Sequence, residues 1–225
     1  MTGLGQIVVV NGTSGAGKTT TCANLARRAE DGWLMFGMDL LVGTLLAAKF
    51  TMFGKDKARG YTPTRYGPVA VRALEAMHSM AAAASRSGQN VAMDHLAFID
   101  PPVLQDAVWR MEGVPVLFVN LKPSREVLED RVTKREIPVI PAPMQEAIAE
   151  AGPNFIEILG AELAEATPWF YEHAYANDIY DLELDSSAMS CDEVCARIEE
   201  RLRQGPGTAF AELRRIYPQS VAWPV

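Results

Sequence analysis

The sequence predicts an α/β domain built on a mostly parallel sheet with helices on both faces. Two features carry that reading. Short apolar strand patterns alternate along the chain with helical ones, and a glycine-rich stretch joins the first strand pattern directly to the first helical one. In sheets of this kind ligands gather at the carboxyl ends of the strands, so each polar residue just past a strand end is a candidate for function.

The elements follow in order. Ile7-Val8-Val9-Val10 is a short apolar, β-branched run, as a buried parallel strand should be. Gly12-Thr13-Ser14-Gly15-Ala16-Gly17-Lys18-Thr19 comes next, and Thr20 to Ala29 reads as a helix with Cys22, Leu25 and Ala29 along one side. Trp33 to Gly37 is the second strand, and a helix is expected from Leu40-Leu41. Val69 to Ser87 is a long helix with Val69, Leu74, Met77, Met80 and Ala81 mostly on one side, closed by Gly88. Asn90 to Met93 and Val114 to Leu121 are the third and fourth strands, separated by a helix over Pro101 to Met111. Ser124 caps a helix running to Arg135, which Pro138, Pro141 and Pro143 stop. Ile179 to Leu184 is the fifth strand and Ser190 to Arg203 a late helix. After Gly205-Pro206-Gly207, Phe210, Leu213, Ile216 and Tyr217 recur at helical spacing, a pattern that docks on the domain or on a second subunit. The expected organisation is one domain over 1–204, with lid and acceptor-binding insertions at about 49–68 and 125–172, and a C-terminal extension over 205–225.

Bulk properties narrow the function classes. A chain of 225 residues with 48% hydrophobic residues can bury one full core. Its net charge of −7 disfavours a nucleic-acid backbone as partner. No apolar run approaches the roughly 18 residues of a membrane span, and the N-terminus lacks a basic segment and a signal-type apolar core, so neither membrane nor secretion is expected. An odd count of 3 cysteines fits free thiols in a reducing cytoplasm. Cys191 and Cys195 lie on one helix with no clustered histidine, which suits packing better than zinc.

The glycine-rich stretch fits G-x-x-x-x-G-K-[ST], the phosphate-binding P-loop, in its required strand–loop–helix context. Glycines let the backbone wrap closely and turn its N–H groups inward. The helix N-terminus adds partial positive charge. Gly12, Thr13, Ser14, Gly15, Ala16, Gly17, Lys18, Thr19 and Thr20 are therefore the candidate ATP-binding residues, with Lys18 on the β/γ phosphates and the Thr19 hydroxyl on Mg²⁺.

Five further positions bear on catalysis. Asp39 follows the second strand, where a carboxylate can accept or orient the proton of an attacking hydroxyl, or else cap the next helix. Asp94 follows Val91-Ala92-Met93, the apolar-strand-then-Asp pattern that holds Mg²⁺ directly or through water. His95 is either an acceptor contact or a satisfied structural histidine. Arg131 and Arg135 share a helix face, from which they either stack on a base and neutralise phosphate oxygens or simply meet solvent.

Taken in order, these residues resemble the chloramphenicol phosphotransferase family of small-molecule P-loop kinases. The match runs through Asn11 to Lys18, Trp33-Leu34-Met35-Phe36-Gly37-Met38-Asp39, Gly67-Pro68, Arg72-Ala73-Leu74-Glu75, Asp94, Arg131 with Arg135, His173, and Tyr180 to Ser187. The resemblance implies a five-stranded parallel sheet similar to shikimate and adenylate kinases, with a helical lid. It also implies ATP-dependent phosphorylation of a small-molecule hydroxyl, Asp39 as catalytic carboxylate, Lys18 and Arg135 acting on the transferring phosphate, and Arg131 toward the nucleotide. An antibiotic acceptor and a role in resistance enter through this resemblance alone.

The chain departs from the family pattern between Arg135 and His173, over Lys49 to Pro68, and in its tail. Residues 137–172 carry Glu146, Glu150, Glu157, Glu162, Glu165 and Glu172 with no Lys or Arg, and include Trp169-Phe170-Tyr171 near their end. That is either an acidic, aromatic wall for a cationic acceptor or a solvated helix surface. Residues 49–66 interleave Lys49, Lys55, Lys57, Arg59 and Arg65 with Phe50, Phe53, Tyr61 and Tyr66, as a flap or an exposed loop. The rival readings are a nucleotide, sugar-nucleotide or metabolite kinase of the same fold, and a nucleotide-dependent switch without an acceptor. Asp39 speaks against a switch, and no Asn-Lys-x-Asp guanine motif is present.

Overall fold

A computed structural model describes residues 3–37, 54–56, 60–62, 68–134 and 167–223. Five parallel strands form the central sheet: β1 (Ile7–Asn11), β2 (Leu34–Gly37), β5 (Val91–His95), β6 (Val116–Leu121) and β7 (Leu182–Leu184), in spatial order β2-β5-β1-β6-β7. β3 (Gly54–Asp56) and β4 (Gly60–Thr62) make a separate antiparallel pair within the stretch read from sequence as a flap or loop. Fifth-strand pairing begins only at Leu182. Asp181 just before it is occupied otherwise: its carboxylate accepts the amides of Phe118, Thr208 and Ala209 at 2.8, 2.6 and 3.0 Å.

The helices are α1 (Lys18–Arg28), α2 (Pro68–Arg86), α3 (Val103–Arg110), α4 (Arg125–Thr133), α5 (Cys191–Arg203) and α6 (Ala209–Ile216), with a further helical segment at 167–174. Their ends follow the sequence signals. Ser124 accepts from the Val127 amide at 3.3 Å, and Ser190 and Glu193 form a reciprocal capping box. Gly88, with φ 85, follows α2.

Strand periodicity sorts the core into two layers. Ile7, Val9, Val91, Met93, Val116 and Phe118 face α2, α3 and α6, together with Leu74, Met77, Leu104, Phe210 and Leu213. Val8, Val10, Ala92, Leu117 and Val119 face α1 and α5, with Cys22, Leu25, Val194, Cys195 and Ile198. Burial raises the Cys22 thiol well above its ordinary value and pushes Cys195 up to about 12, so both pack as neutral thiols. The C-terminal helix docks on its own domain. Arg214 donates to the Val108 carbonyl at 2.8 Å, Trp109 to the Tyr217 carbonyl at 3.2 Å, and Gln105 to the carbonyls of Pro218 and Ser220 at 2.7 and 3.1 Å.

Candidate functional site

The site forms where β1, β2 and β5 end together. Register places Val10 and Gly37 on either side of Asp94, so that carboxylate stands at the centre of the sheet's rim on the α1 face. It is 3% exposed and accepts the Thr19 hydroxyl at 2.8 Å. Gly37 belongs to this geometry: a Cβ there would run into the Asp94 carboxylate, so a side chain at the end of β2 would displace it. The glycine of Phe-Gly-Met-Asp thus has a structural cause, the room that Asp94 needs.

The P-loop wraps from Asn11 into α1. Gly17, with φ 94, is the helix N-cap and offers no side-chain cap, and no acidic residue lies in the first turn. The helix's leading N–H groups and its positive end are thereby left for an anion. Lys18 donates to the Thr13 carbonyl at 3.0 Å, which folds its ammonium back over the loop. Thr19 and Thr20 are exposed, Ser14, Gly15, Gly17 and Lys18 half-buried, and Gly12, Thr13 and Ala16 buried. The Ala16 carbonyl accepts the Ser186 hydroxyl at 2.9 Å. α4 lies against the loop: Arg131 donates to the Ser186 carbonyl at 2.8 Å and approaches the Gly15 carbonyl at 3.5 Å. Arg131 therefore stands beside the P-loop, not on an open solvated face. Asp39 and Arg135 lie outside the described residues, as do the helix expected from Leu40 and the acidic residues from Glu146 to Glu165.

The donor set fits Mg²⁺ with a nucleotide phosphate. A hydroxyl and a carboxylate already in contact are hard oxygen ligands of the kind Mg²⁺ takes beside substrate phosphates. An ammonium resting on a carbonyl, next to an uncapped helix start, fits the phosphates. Among the described residues there is no group of three or more His, Cys, Asp or Glu that could hold a metal ion.

Across the other face of the same rim runs a polar row. Asn11 is in register with His95 on one side and Asn120 on the other, and Asn120 with Glu183 beyond it. Asn11 Nδ2 faces Asn120 Oδ1 at 3.1 Å, the Ala174 carbonyl at 2.9 Å and the Tyr180 hydroxyl at 3.2 Å, while its Oδ1 accepts the Ala97 amide at 2.9 Å. Asn120 donates to Glu183 at 2.8 Å. His95 enters a second chain: its Nε2 meets His78 Nε2 at 2.6 Å, His78 Nδ1 meets Asp106 at 2.6 Å, and Arg110 grips Asp106 at 2.7 Å. Burial lowers the pKa of both histidines, His95 well below its ordinary value. His95 is bonded on one side, through Nε2, and its Nδ1 makes no hydrogen bond among the described residues.

Sequence reasoning missed Asn11 as a hub, Ser186, and Tyr175, whose hydroxyl accepts the Thr13 amide at 3.3 Å. The row was readable only in part: β1 and β5 turn from apolar to polar at their ends, whereas Asn120 and Glu183 are each followed by a leucine. Nothing in the local pattern marks Tyr175. The aromatic run at 169–171 is absorbed by packing: Phe170 is buried, Trp169 stacks on His173 with centroids 3.8 Å apart, and Tyr171 donates to the Pro123 carbonyl at 3.3 Å. A cleft of about 490 Å³ between Leu25, Arg28, Trp33, Glu199 and Leu202 lies at the far end of α1 from Lys18 and carries none of the P-loop chemistry.

Comparison with known proteins agrees with the geometry. The model of the chloramphenicol phosphotransferase-like protein family matches residues 5–203, and the chain belongs to that family. No curated protein matches it in sequence. Its fold is that of P-loop kinases. An APS kinase of Mycobacterium tuberculosis solved with AMPPNP and APS is similar at TM-score 0.55 and 18% identity, over 89% of this chain and 99% of that one. A gluconokinase of Sinorhizobium meliloti is similar at TM-score 0.56 and 17% identity, over 96% and 99%. A Deinococcus radiodurans tunicamycin resistance protein is similar at TM-score 0.51 and 16% identity, over 88% and 95%.

Proposed function

We propose that this member of the chloramphenicol phosphotransferase-like family is an ATP-dependent phosphotransferase acting on a hydroxyl of a small molecule. The observation that carries the reading is the Thr19–Asp94 contact at the mouth of a P-loop, in a chain of this family. When bound, Mg²⁺ supplies charge neutralisation at the phosphates. The chain's own residues do the rest. The loop amides and the start of α1 bind phosphate oxygens, and Lys18 leaves the Thr13 carbonyl to meet the β/γ phosphates. Thr19 and Asp94 provide the metal's protein oxygens. Arg131, already beside the loop, screens phosphate charge together with Arg135. Asp39, two residues beyond the glycine that makes room for Asp94, orients the acceptor hydroxyl and takes its proton. Catalysis rests on positioning and electrostatics.

The acceptor is a hydroxylated small molecule. An antibiotic is the reading closest to the family's name, and a resistance protein is among its structural neighbours. Metabolite alcohols come second, a reading supported by kinases named for APS and gluconate among the same neighbours. The test is a coupled ADP-release assay with Mg-ATP against hydroxylated antibiotics, nucleosides and sugars, with mass spectrometry of the products. One added phosphoryl group is expected on the true acceptor. Asp39→Asn lowers kcat by about 10²–10⁴ and leaves ATP binding intact. Undiminished turnover in that variant removes Asp39 from the chemistry. ATP binding with no phosphorylated product from any acceptor favours a nucleotide-dependent switch.

A further inference from the structure

Thr13 is held from two directions. Its carbonyl accepts Lys18 at 3.0 Å, and its amide donates to the Tyr175 hydroxyl at 3.3 Å. The same hydroxyl donates to the carbonyl of Leu121, the last residue of β6, at 2.7 Å. One phenol thus bridges the end of β6 and the entry of the P-loop. A Cβ on Gly12 would lie 2.7 Å from that Leu121 oxygen and 3.5 Å from the Tyr175 hydroxyl. Burial raises the Tyr175 pKa far above its ordinary value, so the group stays a neutral phenol that donates and accepts at once.

Tyr175 also closes the helical segment at 167–174. One turn earlier Tyr171 packs edge-on against it, with centroids 5.1 Å apart, and donates to the Pro123 carbonyl at 3.3 Å. Between them the Ala174 carbonyl accepts from Asn11, the residue at which β1 becomes the P-loop. The C-terminal end of this segment is therefore bonded to the P-loop's first turn on both sides of Gly12. A loop that binds phosphate through backbone N–H groups depends on the path of its backbone, and an amide turned outward onto a fixed phenol sets that path before any ligand arrives. Preorganisation of this kind removes ordering cost from binding.

We infer that Tyr175 is a positioning residue of the nucleotide site, holding the P-loop through the Thr13 amide and tying that loop to the helical segment 167–174. The inference rests on the nucleotide reading given above. Its test compares two phenylalanine variants of the full chain. Tyr175→Phe keeps the ring and removes only the hydroxyl, and it should raise the Kd for Mg-AMPPNP, measured by calorimetry, about tenfold. Tyr171→Phe removes a hydroxyl of the same segment that is bonded to the Pro123 carbonyl, not to the P-loop, and should lower Tm while leaving that Kd within about twofold. Equal Kd values for Tyr175→Phe and the parent, or equal shifts in both variants, would overturn the inference. If Tyr175→Phe does not fold, hydrogen exchange in the parent decides: the Thr13 amide is protected without nucleotide, and rapid exchange there overturns the assignment. A parent chain that fails to bind Mg-AMPPNP would instead sink the nucleotide reading, with the Thr13 protection still measurable.

Discussion

Asp94 and His95 are neighbours in sequence and opposites in the fold. Strand alternation turns Asp94 to the α1 face, where its carboxylate meets Thr19 at the P-loop, and turns His95 to the α2/α3 face, where it ends a buried chain through His78 and Asp106 to Arg110. Both side chains are polar and almost fully buried. They differ in what completes them. Asp94 shares its neighbourhood with a P-loop lysine and an uncapped helix start. The chain behind His95 is completed by protein groups, and Arg110 at its outer end also bonds Glu75 at 2.8 Å and Ser79 at 3.2 Å. Burial of a polar residue at a strand end therefore does not mark it as functional. The partner across the next element does.

The sharpest way to break this contrast is to remove one residue from each face. Asp94→Ala is expected to lower turnover by on the order of 10²-fold or more, since a metal's charge stabilisation is worth several kcal/mol. The loss should appear in ADP release titrated with Mg²⁺, with the thermal transition little changed. Parent-like turnover at limiting Mg²⁺ would remove Asp94 from the metal site. Asp106→Ala has the opposite signature. It leaves His78 and Arg110 without their shared carboxylate, and losing the hydrogen bonds that a buried carboxylate makes to two partners costs about 3 kcal/mol. In a domain of this size that is a fall in Tm of roughly 6–12 °C, with the Kd for Mg-AMPPNP unchanged in the folded protein. A large change in nucleotide affinity would show that the two faces are not independent.

Much of this arrangement was legible in the sequence because it depends on local pattern. Strand alternation, the glycine spacing, the cap at Ser124 and the Val-Ala-Met-Asp strand end each follow from residues a few positions apart. What was not legible depends on pairs far apart in the chain. His78 and His95 lie on α2 and β5, and Asp106 on α3, so three unremarkable residues become one chain only when the helices pack. Tyr175 meets Thr13 across 162 residues of sequence, and no spacing rule connects them. Cys191 and Cys195 read correctly as packing residues because their role needs only one helix face: Cys195 is fully buried, and Cys191 accepts from Asn24 of α1 at 2.9 Å.

The smallest expected effect is the pH dependence of the histidine chain. Burial holds the folded-state pKa of His78 and His95 below the ordinary value of 6.5, against the partial support that Asp106 gives His78. A histidine with a depressed folded pKa binds fewer protons folded than unfolded, so folding stability increases with pH through this window and is lost as pH falls below about 6.5. The groups that face the pair are Asp106, Arg110 and Glu75 on the His78 side and Lys18 on the His95 side, and both cations oppose protonation. Denaturation midpoints measured from pH 7.5 down to 5 should therefore decline with a slope that His78→Gln makes shallower, since glutamine keeps a hydrogen-bonding group but takes up no proton. An unchanged slope in that variant would assign the acid sensitivity to other groups and leave the histidine chain as neutral packing. A steeper slope would mean that His78 carries its proton in the folded state, making the Asp106–His78 contact an ion pair and reversing the sign argued from burial.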